Sequence, residues 1–286
     1  MFETDFSIRL AEEGITPSLV SDFQAFVFEF YETCGRHDME WRHTTDPYLI
    51  TVSEIMLQQT QVPRVAEIFP RFIERFPTAE ALAEASDADV LSAWQGMGYN
   101  RRALYLKKLC RTVTEELGGV FPTTPAELEK LPGIGKATSC SISAFAYNAT
   151  VVFIETNIRR VFIHFFFRGR DAVDDAEIFP LVEVMLPTGR SREWYWALMD
   201  LGTEMKRSVG NPNRKSRQYV KQSKFEGSRR QVRGAVLKEM LKRGSASAED
   251  AAEAVGFSAE SVAVVLKEME KEGFFVCEDG VYRVLK

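Results

Sequence analysis

Two glutamates stand where a carboxylate can do acid–base work. Glu54 sits in Ser53-Glu54-Ile55-Met56-Leu57-Gln58-Gln59-Thr60, among several apolar neighbours. A carboxylate on such a helix is expected to be partly desolvated, which raises its pKa toward that of a useful general acid. Glu155 ends the apolar run Val151-Val152-Phe153-Ile154 and opens a helix, close to Asn157 and Arg159. Helix dipole and neighbouring cation favour its ionised form. Two carboxyls pushed apart in pKa suit cleavage of an N-glycosidic bond. One protonates the departing base; the other stabilises or attacks the cationic sugar, by analogy with sugar hydrolases. On the residues alone, plainer roles stay open: Glu54 as a surface helix residue, Glu155 as a helix N-terminal charge.

A second constellation is Leu131-Pro132-Gly133-Ile134-Gly135, which joins two helices. Glycines one residue apart let the backbone turn sharply and leave amides unshielded. With the helix N-terminus opening at Lys136, those amides form a concavity suited to a phosphate oxygen, without base-specific contact. Lys136 adds charge and Thr138 a hydroxyl. A glycine-capped helix corner is the alternative.

The elements that must position these groups are almost all helical. Apolar residues recur near i, i+3, i+4 and i+7 in Ser21–Cys34, Pro47–Gln59, Arg64–Arg75, Asp89–Gln95, Arg101–Glu116, Pro125–Lys130, Lys136–Tyr147, Thr156–Phe166 and Trp194–Lys206. A polar, basic stretch follows. From Lys206 to Lys224 there are seven Lys or Arg and no Asp or Glu. Beyond it, helices are expected at Arg229–Lys242, Ala248–Val255 and Ala259–Glu270, with Ser247 and Ser258 as N-caps. A hairpin with an Asp279-Gly280 turn closes the chain. Three helices and a hairpin is the winged-helix order. The reading is therefore a mainly α chain with domains at 1–227 and 228–286.

The 286 residues carry a net charge of −5, so a polyanion would have to be met by local basic patches. No apolar run approaches the roughly 18–20 residues a membrane span needs, and Met1–Arg9 does not read as a signal peptide. Four scattered cysteines (Cys34, Cys110, Cys140, Cys277) argue for a reducing compartment and against a disulfide framework or an all-cysteine metal site.

Taken together and in order, these segments resemble the helix-hairpin-helix DNA glycosylases, the adenine glycosylase (MutY) branch above all. The resemblance runs from about Phe26 to Gly202, in the blocks Trp41-Arg42, Asp46-Pro47-Tyr48, Ser53–Val62, Gly96–Ala103, Leu131–Thr138, Val152–Val161 and Met199–Gly202. It implies a two-lobed helix-hairpin-helix fold with a small C-terminal winged-helix-like domain. It implies Glu54 as the acid that protonates the purine, and Glu155 as the anion that stabilises the sugar cation beside Asn157. Trp41, Arg42 and Asp200 would line or support the pocket for the extruded base. Gln58, Gln59 and Tyr99 would enter near the vacated stack and the opposite base. Gly133, Gly135, Lys136 and Thr138 would hold phosphate.

Four departures from the family pattern carry expectations of their own. Glu155 replaces an aspartate, which shifts the carboxylate by roughly an ångström, a scale at which catalytic geometry responds. Ala137 stands where glycosylase-lyases such as endonuclease III carry lysine. Lys136 is about 100° away around the helix, so no Schiff base is expected. The four positions of the family's cluster loop are Lys206, Asn213, Ser216 and Gln222, none of which offers a thiolate to iron. No iron–sulfur cluster, other cofactor or metal is expected, and the loop should rest on packing and hydrogen bonds. The C-terminal module replaces the domain that reads oxidised guanine in the family. Its third helix carries Glu260, Glu268 and Glu270 against Lys267, a poor match to phosphate, so a packing or protein-contact role is expected.

The expectation is thus a monomeric monofunctional glycosylase acting on double-stranded DNA with a mispaired or damaged base, most simply adenine. It would be cytoplasmic, at the nucleoid, in a prokaryote. A thymine/uracil mismatch glycosylase and a non-catalytic DNA binder are the alternatives. All of this requires Glu54 and Glu155 to serve one everted nucleotide.

Overall fold

The computed structural model describes residues 5–221 and 224–284. Their contacts divide into two compact units. One comprises Met1–Ile50, Thr123–Glu129 and Gly135–Lys221; the other Thr51–Pro122, Lys130–Ile134 and Gln222–Lys286. The C-terminal module clusters with the second of these units.

The first unit is helical. It holds α1 (Phe6–Glu13), α2 (Pro17–Cys34) and the opening of α3 (Pro47–Leu57). The second unit takes up the rest of α3, then α4 (Val62–Arg75), α5 (Ala79–Glu84), α6 (Asp87–Ala93) and α7 (Arg101–Glu115). The first unit resumes with α8 (Pro125–Leu128), α9 (Lys136–Tyr147), α10 (Thr156–Phe166), α11 (Asp175–Met185) and α12 (Ser191–Ser208). Its core is aromatic. Phe23 meets Phe162, Phe165, Phe166 and Trp194 with ring centroids 4.8–6.0 Å apart, mostly edge to face. Such pairs add to plain area burial.

Where α10 crosses α12, the contact is backbone to backbone. A Cβ on Gly202 would lie 2.5 Å from the Asn157 carbonyl oxygen and 2.7 Å from its Cβ. No residue larger than glycine fits there without parting the helices, and those helices carry Asn157 and Asp200.

In the second unit, α4 buries Val65, Ile68, Phe69 and Phe72, the i, i+3, i+4, i+7 stripe of an amphipathic helix. The module adds α13 (Arg229–Arg243), β1 (Ser245–Ser247), α14 (Ala248–Val255), α15 (Ala259–Lys271), β2 (Phe275–Glu278) and β3 (Val281–Val284). The sheet is antiparallel in the order β1-β3-β2. Asp279 and Gly280, with φ of 50° and 79°, join β2 to β3. Two successive left-handed residues are what a tight hairpin turn requires. Two acids at the end of α15 are paired within the unit. Glu268 forms ion pairs with Arg229 and Arg233, and Glu272, just past the helix, with Arg233 and Arg101.

Two glycine-to-alanine changes should therefore have opposite signs. Gly202→Ala forces a clash and is expected to lower stability by about 1–3 kcal/mol. Gly234→Ala, inside α13 with open space around the new methyl, should raise it by about 0.5–1 kcal/mol. Urea unfolding followed by circular dichroism decides both.

Candidate functional site

In the first unit, Glu155 and Asn157 lie at the start of α10. The run before it is extended, and Phe153 is buried against Tyr195 at 4.2 Å between ring centroids. Tyr195 donates its hydroxyl to the Val151 carbonyl at 2.7 Å. The backbone is thereby fixed up to Glu155, which caps the helix. Its Oε1 accepts from the amides of Asn157 (2.6 Å) and Ile158 (2.9 Å), and its Oε2 from the Asn157 side-chain amide (3.3 Å). Capping normally falls to Asp, Asn, Ser or Thr; here the longer side chain folds back far enough to do it. Asn157 is held from the other side as well, since its Oδ1 accepts from Arg160 at 2.7 Å. Arg160, itself buried, also donates to the Gly202 carbonyl.

Charge at Glu155 is set by opposing effects. Burial pushes its carboxyl above the usual range. The Ile158 and Asn157 amides, then Arg160 and Arg159, pull the other way without overcoming it. Dipole and cation had suggested the ionised form, so the direction is reversed. Sequence gave no measure of how completely the site is desolvated. Arg159 is also diverted from it, donating two bonds of 2.6 Å to Asp175.

Arg42 and Asp200 engage each other. Arg42 grips the Asp200 carboxylate with two bonds of 2.8 Å, while the Arg36 amide and Nε each add one of 2.7 Å. The Asp200 side chain is 2% exposed. Burial alone would raise its pKa, but the bonds and charges of Arg42 and Arg36 outweigh it and hold the carboxyl below its usual value. The Arg42 guanidinium lies 5.4 Å from the Trp196 ring and 5.9 Å from that of Tyr31. Trp41 is buried beside it in sequence. Arg42 and Asp200 thus brace this part of the unit. Arg36 and Trp196 belong to the same assembly and carried no motif signal.

Glu54, Gln58, Gln59 and Tyr99 lie in the second unit. Glu54 is half-buried on α3, flanked by the fully buried Val52, Ser53, Ile55 and Met56. Beyond α3 the chain turns through Gln59, at φ 54°, and after α6 through Gly96, Gly98 and Tyr99, at φ 89°, 66° and 46°. Left-handed backbone at Gln59 and Tyr99 is strained and needs support. Arg102 supplies it. Its guanidinium donates to the carbonyls of Ile55 (2.8 Å), Met56 (3.0 Å), Gln58, Met97 (3.1 Å) and Gly98 (3.0 Å), and to the Thr60 hydroxyl (3.0 Å). Burial pulls its pKa down to about 10. Sequence reading passed over this role. The available signal was that Arg102 shares the buried face of α7 with Leu106, Leu109 and Val113.

In the hairpin, Gly133 takes φ 81°, and a Cβ there would stand 2.8 Å from that of Tyr105. Gly135 begins α9 with no side-chain cap. The helix N-terminus thus presents backbone amides beside Lys136, which is exposed, and Thr138, which is partly so.

In the cluster-loop region, Lys206 lies exposed in the last turn of α12. Asn213 is buried and donates to the Thr156 carbonyl at 2.7 Å, and Ser216 bonds Gln218 at 3.0 Å. Val173 pairs with the loop through the Lys215 carbonyl (2.7 Å) and the Arg217 amide (3.0 Å). Gln222 lies outside the described residues. The donor set does not fit an iron–sulfur cluster, since all four cysteines lie elsewhere in the chain. Among the described residues, no group of three or more His, Cys, Asp or Glu is placed to hold a metal ion, and no helix is long and apolar enough to cross a membrane.

Comparison with known proteins identifies relatives. Residues 52–179 match the family model of the HhH-GPD superfamily base excision DNA repair protein. An adenine DNA glycosylase from Mycolicibacterium smegmatis is 36% identical over 222 residues, covering 71% of this chain and 75% of the relative. One from Buchnera aphidicola is 33% identical over 181 residues, 63% of this chain and 52% of the relative, so the chain spans about half that protein's length. Among solved structures, a thermostable thymine-DNA glycosylase superposes with a TM-score of 0.56 at 26% identity, over 64% of this chain and 85% of that one.

The Asp200 brace makes a pH prediction. A carboxyl with a lowered folded pKa contributes stability above its unfolded pKa and loses it as pH falls through the folded value. Asp200→Asn should cost about 3–5 kcal/mol near neutrality, the range for breaking a buried ion pair. The variant should also lose part of the wild type's acid destabilisation, as read from urea midpoints between neutral pH and acid.

Proposed function

We propose, from the premise that this chain belongs to the HhH-GPD superfamily of base excision DNA repair proteins, that it is a monofunctional glycosylase acting on mispaired adenine in duplex DNA. The observation that carries this reading is the fixed, desolvated carboxylate of Glu155, immobilised by backbone amides and by Asn157. In a low-dielectric setting, such a group interacts strongly with a cation forming beside it.

The glycosidic carbon cannot be reached inside a stacked duplex, so the target nucleotide must be everted. Glu54, partly shielded on α3, gives its proton to the purine ring and makes the base a neutral leaving group. As the bond breaks, Glu155 stabilises the oxocarbenium-like sugar, and water completes an abasic site. Asn157, donating to Glu155 and accepting from Arg160, fixes the carboxylate's orientation. Arg42 and Asp200 support the pocket from within. The hairpin amides, with Lys136 and Thr138, hold a phosphate. Ala137 offers no amine, so the reaction ends at hydrolysis without strand cleavage. The loop at 206–222 needs no cluster, being tied by Asn213 and Ser216. The enzyme acts as a monomer.

A second substrate reading rests on the likeness to the thymine-DNA glycosylase: thymine or uracil in a mismatch. One panel separates the readings. Duplexes carrying adenine, thymine or uracil against each partner base, including oxidised guanine, are assayed for released base and for strand breaks before and after alkali. Release of adenine is expected, with breaks only after alkali. Glu54→Gln should slow release by at least about 100-fold while duplex affinity changes little. Full activity in that variant removes Glu54 as the acid. Tight duplex binding with no release from any pair makes the protein a non-catalytic binder.

A further inference from the structure

Within the second unit, the C-terminal module holds the turn after α6 by polar bridges. The Tyr99 hydroxyl accepts from Arg230 of α13 at 2.9 Å, and the guanidinium groups of Arg102 and Arg230 lie 5.6 and 5.9 Å from its ring. Two residues on, Arg101 at the start of α7 pairs with Glu272 at 2.7 Å. Glu272 follows α15 and pairs at 2.5 Å with Arg233 of α13. Close packing does not accompany these bridges throughout. A cavity of about 810 Å³ is left, lined by Gln59, Gly98 and Tyr99 from the turns and by Arg230, Gly234 and Leu237 from α13.

We propose that this contact is autoinhibitory: in the free protein the module latches the turn after α6, and a duplex must break the latch before it can engage that turn. The inference rests on the reading of Tyr99 as a residue that enters DNA. To enter a base stack, Tyr99 must give up its bond to Arg230. Arg101 and Arg233 are cations of the kind that meet phosphate, yet both spend their charge on Glu272. Glu272 is therefore a resident competitor for the same arginines. The latch is also weak enough to yield. The side chains of Arg101, Arg233 and Glu272 are 48%, 24% and 19% exposed, and ion pairs of that kind hold little energy and are screened by salt. The cavity denies the contact the close packing that would make it permanent. A protein whose competent form is a fraction of the population binds with its affinity reduced by that fraction. Shutting out Glu272 should thus raise affinity for any duplex, including one that offers phosphates alone.

The test is the affinity of the full-length protein for a fully matched duplex, read by fluorescence anisotropy across a salt series, with circular dichroism confirming folding. Glu272→Gln should bind on the order of tenfold tighter than wild type at about 50 mM salt, with a salt dependence steeper by about one to two counterions for the arginines it frees. Glu253→Gln, on the exposed side of α14, makes the same change in net charge without touching the latch and should shift affinity by less than about twofold. In an Arg101→Gln Arg233→Gln background the gain from Glu272→Gln should vanish, as a coupled set requires. If Glu272→Gln does not fold, Glu272→Asp decides: it keeps the net charge, draws the carboxylate back by a methylene, and should also bind more tightly than wild type. A Glu272→Gln protein that binds no better than Glu253→Gln, a gain that persists without the two arginines, or no duplex binding by any variant overturns the proposal. Base release from mismatched duplexes is followed in parallel. Its absence, with the gain appearing as expected, leaves the latch standing and sinks the glycosylase reading. Its presence, with no gain, does the reverse.

Discussion

A carboxylate that caps a helix in a poorly solvated setting is the constraint around which the start of α10 is arranged. Glu155 accepts two backbone amides at the start of α10, so it cannot rotate away. Partial burial desolvates it, and the amides with Arg160 and Arg159 offset part of the penalty on its charge. Arg160 reaches Asn157 and the Gly202 carbonyl at once. That reach depends on α12 approaching without a side chain at Gly202. The aromatic core, the α10–α12 crossing and the loop tied to Thr156 through Asn213 all determine where this one carboxylate sits.

The second unit uses a related device. A buried arginine gathers carbonyl oxygens from two irregular turns and ties them into one feature. Buried carbonyls demand partners, and a planar guanidinium can satisfy several from a single side chain. Arg102 thereby stabilises left-handed Gln59 and Tyr99 without bonding either side chain. Arg42 plays a comparable part against Asp200. In each case positive charge is committed inside the protein.

Much of this was legible in the residues, and the failures have physical causes. Helices with a long apolar stripe, such as α4, α7 and α10, were found by period. The β2–β3 turn was found by Asp279-Gly280, since that pair favours the backbone the turn needs. The helix α11 was missed although Asp174 and Glu177 form a capping box; Pro180 and its nearly all-apolar composition hid the period. Strand β1 is Ser-Ala-Ser, with no alternation to read, and exists only because β3 offers it an edge. Of the site, residue types and order were readable: Glu155 with Asn157, Arg42 with Asp200. The direction of the Glu155 shift was not, because desolvation depends on packing from elements distant in sequence. The role of Arg102 was hidden too, because a charged residue on a buried helix face has meaning only when its acceptors are known.

The account turns on Glu155 being a fixed and poorly solvated carboxylate. An NMR titration of its side-chain carboxyl carbon, assigned by the signal lost in Glu155→Gln, measures this directly in the free protein. A midpoint above that of an ordinary glutamate is predicted. A midpoint at or below the ordinary value would mean that amides and arginines dominate, and that the carboxylate is not held desolvated.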